Sequence, residues 1–383
     1  MPRYRSGVLM AAALLTATAC AAGGASAGAV RPVAARQAHA SRAAKPAANP
    51  VDVLSVSFAS PSAGWLLAEH GQRASRVLVR KTVDGGRTWV AAPSPQAPGA
   101  DASQSSPPPT AVGSILFTSA RDGWAFGPAL WRTTDGGATW AKERAPGPVA
   151  DLAVADGRML VVTGRAGGSG QFTSGVYAAA VGTDNWRPVP GTAMTGLSAP
   201  ALAVSGRTGY LSAGSPLHAR VVLLAGPVTG SGRWRSLSQP CAAAWSPSLA
   251  AAPGGWLFIG CGGEPGAGNQ LKTAYLSRDG GRTWHRVASP PFGGYLDRAT
   301  MSPGGTIFLS GQRMDVYISG DRGRSWQQSP SLAGAAGLAN AGFSLVATTV
   351  TNTFGVAIEE GVSTRQVWLT TDGGRRWTPV TVH

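Results

Sequence analysis

From about residue 51 to the end, the chain is built of short apolar runs separated by turn residues. Leu54-Ser55-Val56-Ser57-Phe58 alternates apolar and polar side chains with the period of a half-buried strand. Ser114-Ile115-Leu116-Phe117 is a second run of this kind. Each run is followed by a turn and then by a glycine beside an aromatic residue: Gly64-Trp65, Gly123-Trp124, Gly209-Tyr210, Gly255-Trp256. Weaker versions of the step are Arg158-Met159, Thr306-Ile307 and Gly355-Val356. A further run, such as Leu78-Val79-Arg80-Lys81 or Val367-Trp368-Leu369, leads into an Asp-bearing turn. A tryptophan after that turn opens a last short strand. The pattern predicts units of four short strands joined by Gly-rich turns, with no helical periodicity.

The Asp-bearing turn is a repeat. Its five clear copies begin at Thr82, Thr133, Ser277, Ser319 and Thr370 and read S/T-x-D-x-G-x-T/S-W, with Arg376 the one departure before the Trp. Decayed copies are Thr183-Asp184-Asn185-Trp186 and Gly230-Ser231-Gly232-Arg233-Trp234. The tryptophans fall at 89, 140, 186, 234, 284, 326 and 377, spaced 42 to 51 residues apart. Seven such units fill residues 51–383 and leave nothing for a second domain. A four-stranded unit cannot bury its faces alone, but seven around an axis can, so the expected fold is an all-β, seven-bladed β-propeller. The conserved-looking side chains are assigned to the hairpin: Asp84, Asp135, Asp279, Asp321 and Asp372 accept turn N–H groups, and glycines supply positive φ. Trp89, Trp140, Trp284, Trp326 and Trp377 bury their rings between sheets. A fully buried Trp284 predicts a loss of about 3–5 kcal/mol on truncation to Ala. Catalytic carboxylates must converge on one bond. Identical positions in separate blades are spread around a ring instead, so no catalytic residue and no metal ligand is assigned.

These segments resemble the Asp-box, or bacterial neuraminidase repeat, propellers, over residues 51–383. Similar boxes occur in sialidases, xyloglucanases, the sortilin ectodomain and the photosystem II assembly and stability factors. The Gly-Trp step ahead of the box, as in Trp124 to Trp140 and Trp256 to Trp284, is most similar to the last group. The resemblance implies either a binding or assembly role or a sialidase-like hydrolase. Against the hydrolase, the chain has no Phe/Tyr-Arg-Ile-Pro segment, only five glutamates, and residues for one propeller where the xyloglucanases usually have two.

Composition adds the compartment. Arg3 and Arg5 precede an apolar heart at residues 8–19, too short to anchor across a bilayer and suited to a signal peptide. Ala17-Thr18-Ala19-Cys20 resembles a lipobox, which makes Cys20 the lipidation candidate; cleavage after Ala25-Ser26-Ala27 is the alternative. The expected organisation is signal peptide 1–19, an Ala/Pro-rich tether 20–50 and the propeller 51–383. The protein is thus expected on the outer face of the cell membrane, or secreted. Export permits a disulfide, and Cys241 and Cys261 flank a turn at Pro253-Gly254-Gly255 as neighbouring strands would. The chain of 383 residues carries 33 Lys+Arg against 18 Asp+Glu, a balance of +15. Several arginines ride on the repeat turns: Arg87, Arg282, Arg324, Arg375 and Arg376. Export argues against nucleic acid as the partner.

Smaller features have bland readings. His70, His218, His285 and His383 are scattered, residues 164–170 form a hairpin loop, residues 96–109 a mobile excursion, and Glu359-Glu360 a solvated turn. The functional expectation is a monomeric, cofactor-free propeller that binds an envelope protein or glycan. Its alternatives are a divergent sialidase-like glycoside hydrolase or an assembly factor for a membrane protein complex.

Overall fold

The computed structural model describes residues 51–383 except 71–75, 101–106, 167–171, 216–219, 242–245, 292, 330–343, 361–365 and 383. The segments expected as signal peptide and tether, and Cys20 with them, lie outside the described residues, as do His218 and His383.

Every regular element among the described residues is a strand, and the strands form seven antiparallel sheets in chain order. Blade 1 holds β1 (Val51–Phe58), β2 (Gly64–His70), β3 (Val77–Thr82) and β4 (Val90–Ala92). Blade 2 holds β5 (Ser114–Phe117), β6 (Gly123–Phe126), β7 (Leu130–Thr133) and β8 (Ala141–Glu143). Blade 3 holds β9 (Val149–Ala155), β10 (Arg158–Ala166), β11 (Phe172–Ala180), β12 (Arg187–Pro188) and a fifth piece, β13 (Met194–Thr195), which also pairs with β11. Blade 4 holds β14 (Ser198–Ser205), β15 (Thr208–Ser215), β16 (Arg220–Pro227) and β17 (Arg235–Ser236). Blade 5 holds β18 (Ser246–Ala252), β19 (Trp256–Gly266), β20 (Asn269–Ser277) and β21 (His285–Arg286). Blade 6 holds β22 (Arg298–Met301), β23 (Ile307–Gly311), β24 (Met314–Ser319) and β25 (Gln327–Gln328). Blade 7 holds β26 (Ser344–Thr349), β27 (Gly355–Glu360), β28 (Gln366–Thr370) and β29 (Thr378–Thr381).

Burial runs outward across each sheet. The second strand has neighbours on both faces, so Trp65, Leu66, Leu67 and Ala68 are all buried without alternation. The fourth strand is the rim, and β12, β17, β21 and β25 are exposed throughout. The apolar core is divided into seven clusters, one for each seam between blades. The seam between blades 7 and 1 joins Val51, Val53 and Leu66 to Val356, Ile358 and Val367, with Phe58 edge-on to Phe354 at 5.1 Å. All four strands of blade 1 precede blade 2 and all four of blade 7 follow blade 6, so among the described residues no strand from one end of the chain completes a sheet at the other.

The innermost strands are also tied by side chains. Ser57 Oγ accepts the Phe117 N–H at 2.9 Å, Ser248 Oγ the Ala299 N–H at 2.6 Å, and Asp151 Oδ2 the Leu202 N–H at 2.7 Å. Burial raises the Asp151 carboxyl above the ordinary range, against the pull of the Leu202 and Leu152 N–H groups.

Two minor expectations change. Glu359 is 6% exposed within β27, not in a solvated turn. Its partner across the ladder, Leu345, shows that the strand continues through this position. The described flanks of the 96–109 excursion are packed: Ala97, Ala111 and Val112 are buried, and Val77 N–H donates to the Ala97 carbonyl at 3.0 Å.

Candidate functional site

The Asp-box hairpins lie at one end of the ring, where the third strand of each clear-box blade turns into the fourth. Thr82 Oγ1 donates to Asp84 Oδ1 at 2.8 Å and accepts the Gly86 N–H at 2.9 Å. Asp84 Oδ1 also accepts the Thr88 N–H at 3.0 Å, and Oδ2 accepts the Thr88 hydroxyl at 2.6 Å. Gly85 and Gly86 take φ of 76° and 85°, which the turn requires and a side chain disfavours. The same bonds recur at Asp135, Asp279 and Asp321. At Asp372 the hydroxyl is missing because Arg376 occupies that place, and only its N–H donates, at 3.0 Å.

These bonds hold the carboxylates ionised. The Thr88 hydroxyl and N–H, then the Thr82 hydroxyl, bring Asp84 down to about 2, and Thr139 and Thr133 do the same for Asp135. Asp279 is lowered by Thr283 and Ser277. At Asp321 burial pulls upward but is outweighed by Ser325 and Ser319; at Asp372 it is outweighed by the Arg376 N–H and Thr370.

The box tryptophans join blades. The indole N–H of Trp140 donates to the Pro93 carbonyl at 2.9 Å, Trp186 to Arg144 at 2.7 Å, Trp284 to Ser238 at 2.8 Å and Trp326 to Ala288 at 2.9 Å. Each acceptor lies just past the rim strand of the preceding blade. Trp140, Trp284 and Trp326 are only half-buried, which corrects the expectation that every box ring is buried between sheets. Trp89 and Trp377 are buried. Trp234, from a decayed copy, is 1% exposed; it folds back into its own blade over Gly209 and Gly226 and donates to the Pro227 carbonyl at 3.3 Å.

The Gly-aromatic step proves to be the reciprocal contact. Trp65 Nε1 donates to the Gly136 carbonyl in the next blade's box at 2.9 Å, and its ring stacks on Phe117 at 3.7 Å. Box 6 has Arg322 at φ 60°, at the open position of the pattern where the other clear copies have Gly. Its guanidinium lies 4.5 Å from the Trp256 ring of blade 5, with Arg278 at 5.1 Å from the same ring. Cys241 and Cys261 form a disulfide, Cα–Cα 5.5 Å, that ties the linker entering blade 5 to β19.

The opposite end of the ring carries the loops between second and third strands and the linkers between blades. Their lengths are unequal, from residues 127–129 to residues 93–113. Lys272 on β20 lies at this end, 4% exposed. Its ammonium donates to the carbonyls of Gly293 (2.6 Å), Gly294 (3.0 Å) and Gln270 (3.1 Å), and burial lowers it to about 8. Sequence reasoning missed it because Leu271 and Lys272 occupy the reverse of the expected faces: Leu271 is 71% exposed. The signal was present in Ala274 and Leu276, whose parity Lys272 shares.

A family model for the BNR/Asp-box repeat matches residues 275–286, the box of blade 5. The chain is an Asp-box seven-bladed β-propeller. No curated protein matches its sequence. Among solved structures the propeller is similar to "YCF48 bound to D1 peptide", at 18% identity and TM-score 0.53, over 88% of this chain and 95% of that one. It is also similar to a GH74 xyloglucanase from Xanthomonas campestris, at 14% identity and TM-score 0.33, over 85% and 72%. A Hadza microbial sialidase matches at 12% identity and TM-score 0.41, over 68% and 66%. The propeller's five box carboxylates are divided among five blades, and among the described residues no group of three or more His, Cys, Asp or Glu is arranged to hold a metal ion.

Proposed function

We propose that this protein is an exported, lipid-anchored binding propeller that holds a segment of another envelope protein and performs no bond-breaking chemistry. The observation that supports this most is the use made of the box carboxylates. Each is ionised and occupied by its own hairpin, so it is neither a proton donor nor free to meet a substrate. The unequal loops lie at the far end, where a rigid scaffold can carry a recognition surface. The similar YCF48 structure has a bound peptide, which supports a protein segment over a glycan as the first ligand to test. Lipidation at Cys20 belongs to the same proposal.

Two measurements test it. The purified protein, assayed on a panel of fluorogenic glycosides, is expected to match a heat-killed control; turnover abolished by one carboxylate substitution would overturn the reading. Labelled palmitate is expected to be incorporated by the wild type and not by Cys20→Ala. Incorporation by neither would leave a secreted protein instead.

A further inference from the structure

Blade 3 is longer than the blade beside it. β10 and β11 run nine residues each, whereas β6 and β7 of blade 2 run four. Met159 and Val161 on β10 are covered by Trp124 of blade 2, and Tyr177 of β11 packs at the edge of that cluster. Two residues further along β10 the cover ends. Thr163 and Arg165, with Thr173 and Gly175 beside them on β11, face the same way with no blade 2 strand opposite. The linker at Pro146–Pro148 closes one side, with the Gly164 N–H donating to the Pro148 carbonyl at 3.0 Å. On the other side the rim strand is split: β12 pairs at Tyr177 and Ala178, β13 at Thr173 and Ser174, and the chain between them stands off. Thr192 Oγ1 takes the Val176 N–H at 3.0 Å in place of a strand partner. The result is a groove of about 430 Å³.

Its chemistry is one-sided. Among the described residues Arg165 is the one charged residue lining it, is exposed, and has no ion-pair partner. Among the described residues, no Asp, Glu, Asn or Gln lines the groove. The described lining thus presents a guanidinium and no carboxylate or side-chain amide acceptor, which fits a carboxylate better than the many hydroxyls of a neutral glycan. A lone inorganic anion would leave most of this volume empty. Thr173, Gly175 and Tyr177 repeat every second residue, about 6.6–6.8 Å apart, the spacing of alternate side chains in an extended peptide. Gly175 leaves the floor open: a Cβ there would meet nothing nearer than the Ala193 Cα at 4.0 Å.

We infer that this groove binds an extended, acidic peptide segment, with a ligand carboxylate on Arg165 and its backbone over Gly175. The inference rests on the binding role proposed above and assigns it a place and a ligand chemistry.

The test selects random decapeptides displayed on phage against the purified full-length protein. Binding of the recovered peptides is then measured by fluorescence anisotropy to wild type, Arg165→Glu, Arg165→Gln and Gly175→Trp. Circular dichroism and urea midpoints are taken on the same samples. Enriched peptides are expected to carry Asp or Glu. Each should lose at least tenfold in affinity to Arg165→Glu and to Gly175→Trp, less to Arg165→Gln, and tenfold again when its acid is replaced by the amide, with urea midpoints unchanged. Peptides that bind all variants within twofold, or that lack acidic residues, overturn the groove while leaving the binding role intact. Failure to enrich any peptide also overturns the groove. If envelope crosslinking then recovers no protein partner either, the binding role falls with it.

Discussion

Trp234 and Trp284 should differ in what their loss costs, in the order opposite to the quality of their sequence motifs. Trp284 ends a complete box, yet its ring is half-buried and its N–H bond to Ser238 spans the rim between blades. Trp234 ends a decayed copy, yet it is 1% exposed and packed with Leu160, Leu211 and Leu224 in the seam of blades 3 and 4. Truncating a fully buried Trp to Ala costs about 3–5 kcal/mol, and the enclosed site of Trp234 argues for the upper end. For Trp284 about half the ring's transfer and packing contribution is at stake. Its hydrogen bond adds about 1 kcal/mol, giving about 2–3 kcal/mol in all. Urea unfolding followed by tryptophan fluorescence and circular dichroism, with the disulfide kept intact, measures both variants against wild type. Stability differences are read from the midpoint shift at unchanged slope. Trp234→Ala is expected to lose about 2 kcal/mol more than Trp284→Ala. Equal losses, or a larger loss at Trp284, would refute the reasoning that seam burial outweighs the motif's own hydrogen bond.

Other consequences follow from the same geometry. Asp84 and Asp135 titrate near 2 when folded and near 3.8 when free, so the folded state binds fewer protons there. Their contribution is present above about pH 4 and lost as pH falls through 2; urea midpoints should drop over that window, and less steeply in the Asp84→Asn/Asp135→Asn pair. Lys272 moves the other way along the pH axis. It is lowered to about 8 when folded, so the unfolded chain holds the extra proton and wild-type stability should rise between pH 8 and 10 relative to Lys272→Met. That variant should also be less stable at pH 7, because three carbonyls lose their donor. Reducing the Cys241–Cys261 bridge, which closes a loop of sequence separation 20, should cost about 3 kcal/mol by the loop-entropy relation, read as a lower urea midpoint in dithiothreitol.

The fold was legible because the repeat is a repeat of geometry. Thr82, Asp84 and Thr88 form a closed set of hydrogen bonds, and such a set survives divergence only as those residue types at that spacing. The two decayed copies lost the closed hydrogen-bond set but kept the tryptophan, and in the second the motif misleads: Trp234 turns inward because Gly209 and Gly226 leave room for its ring. The reciprocal half of the seam was visible as Gly64-Trp65 and its equivalents, but nothing local says that Trp65 reaches the Gly136 carbonyl of the next blade. Arg322 falls at a position the box pattern leaves open, and its stacking on Trp256 depends on a neighbouring blade. The groove beside blade 3 was not legible at all. It arises from a mismatch in length between adjacent blades, and residues 163–177 carry no motif that announces it.

The central claim is that the box end of the ring is structural and the opposite end recognises a protein. Photo-crosslinking from single positions in the native envelope tests it most directly. A benzophenone side chain is placed in turn at His70 and Arg220, exposed at the loop end, and at Arg87 and Arg207, exposed at the box end. The account predicts a discrete protein adduct from the first two positions and none from the second two. Adducts from Arg87 and Arg207 alone would contradict it.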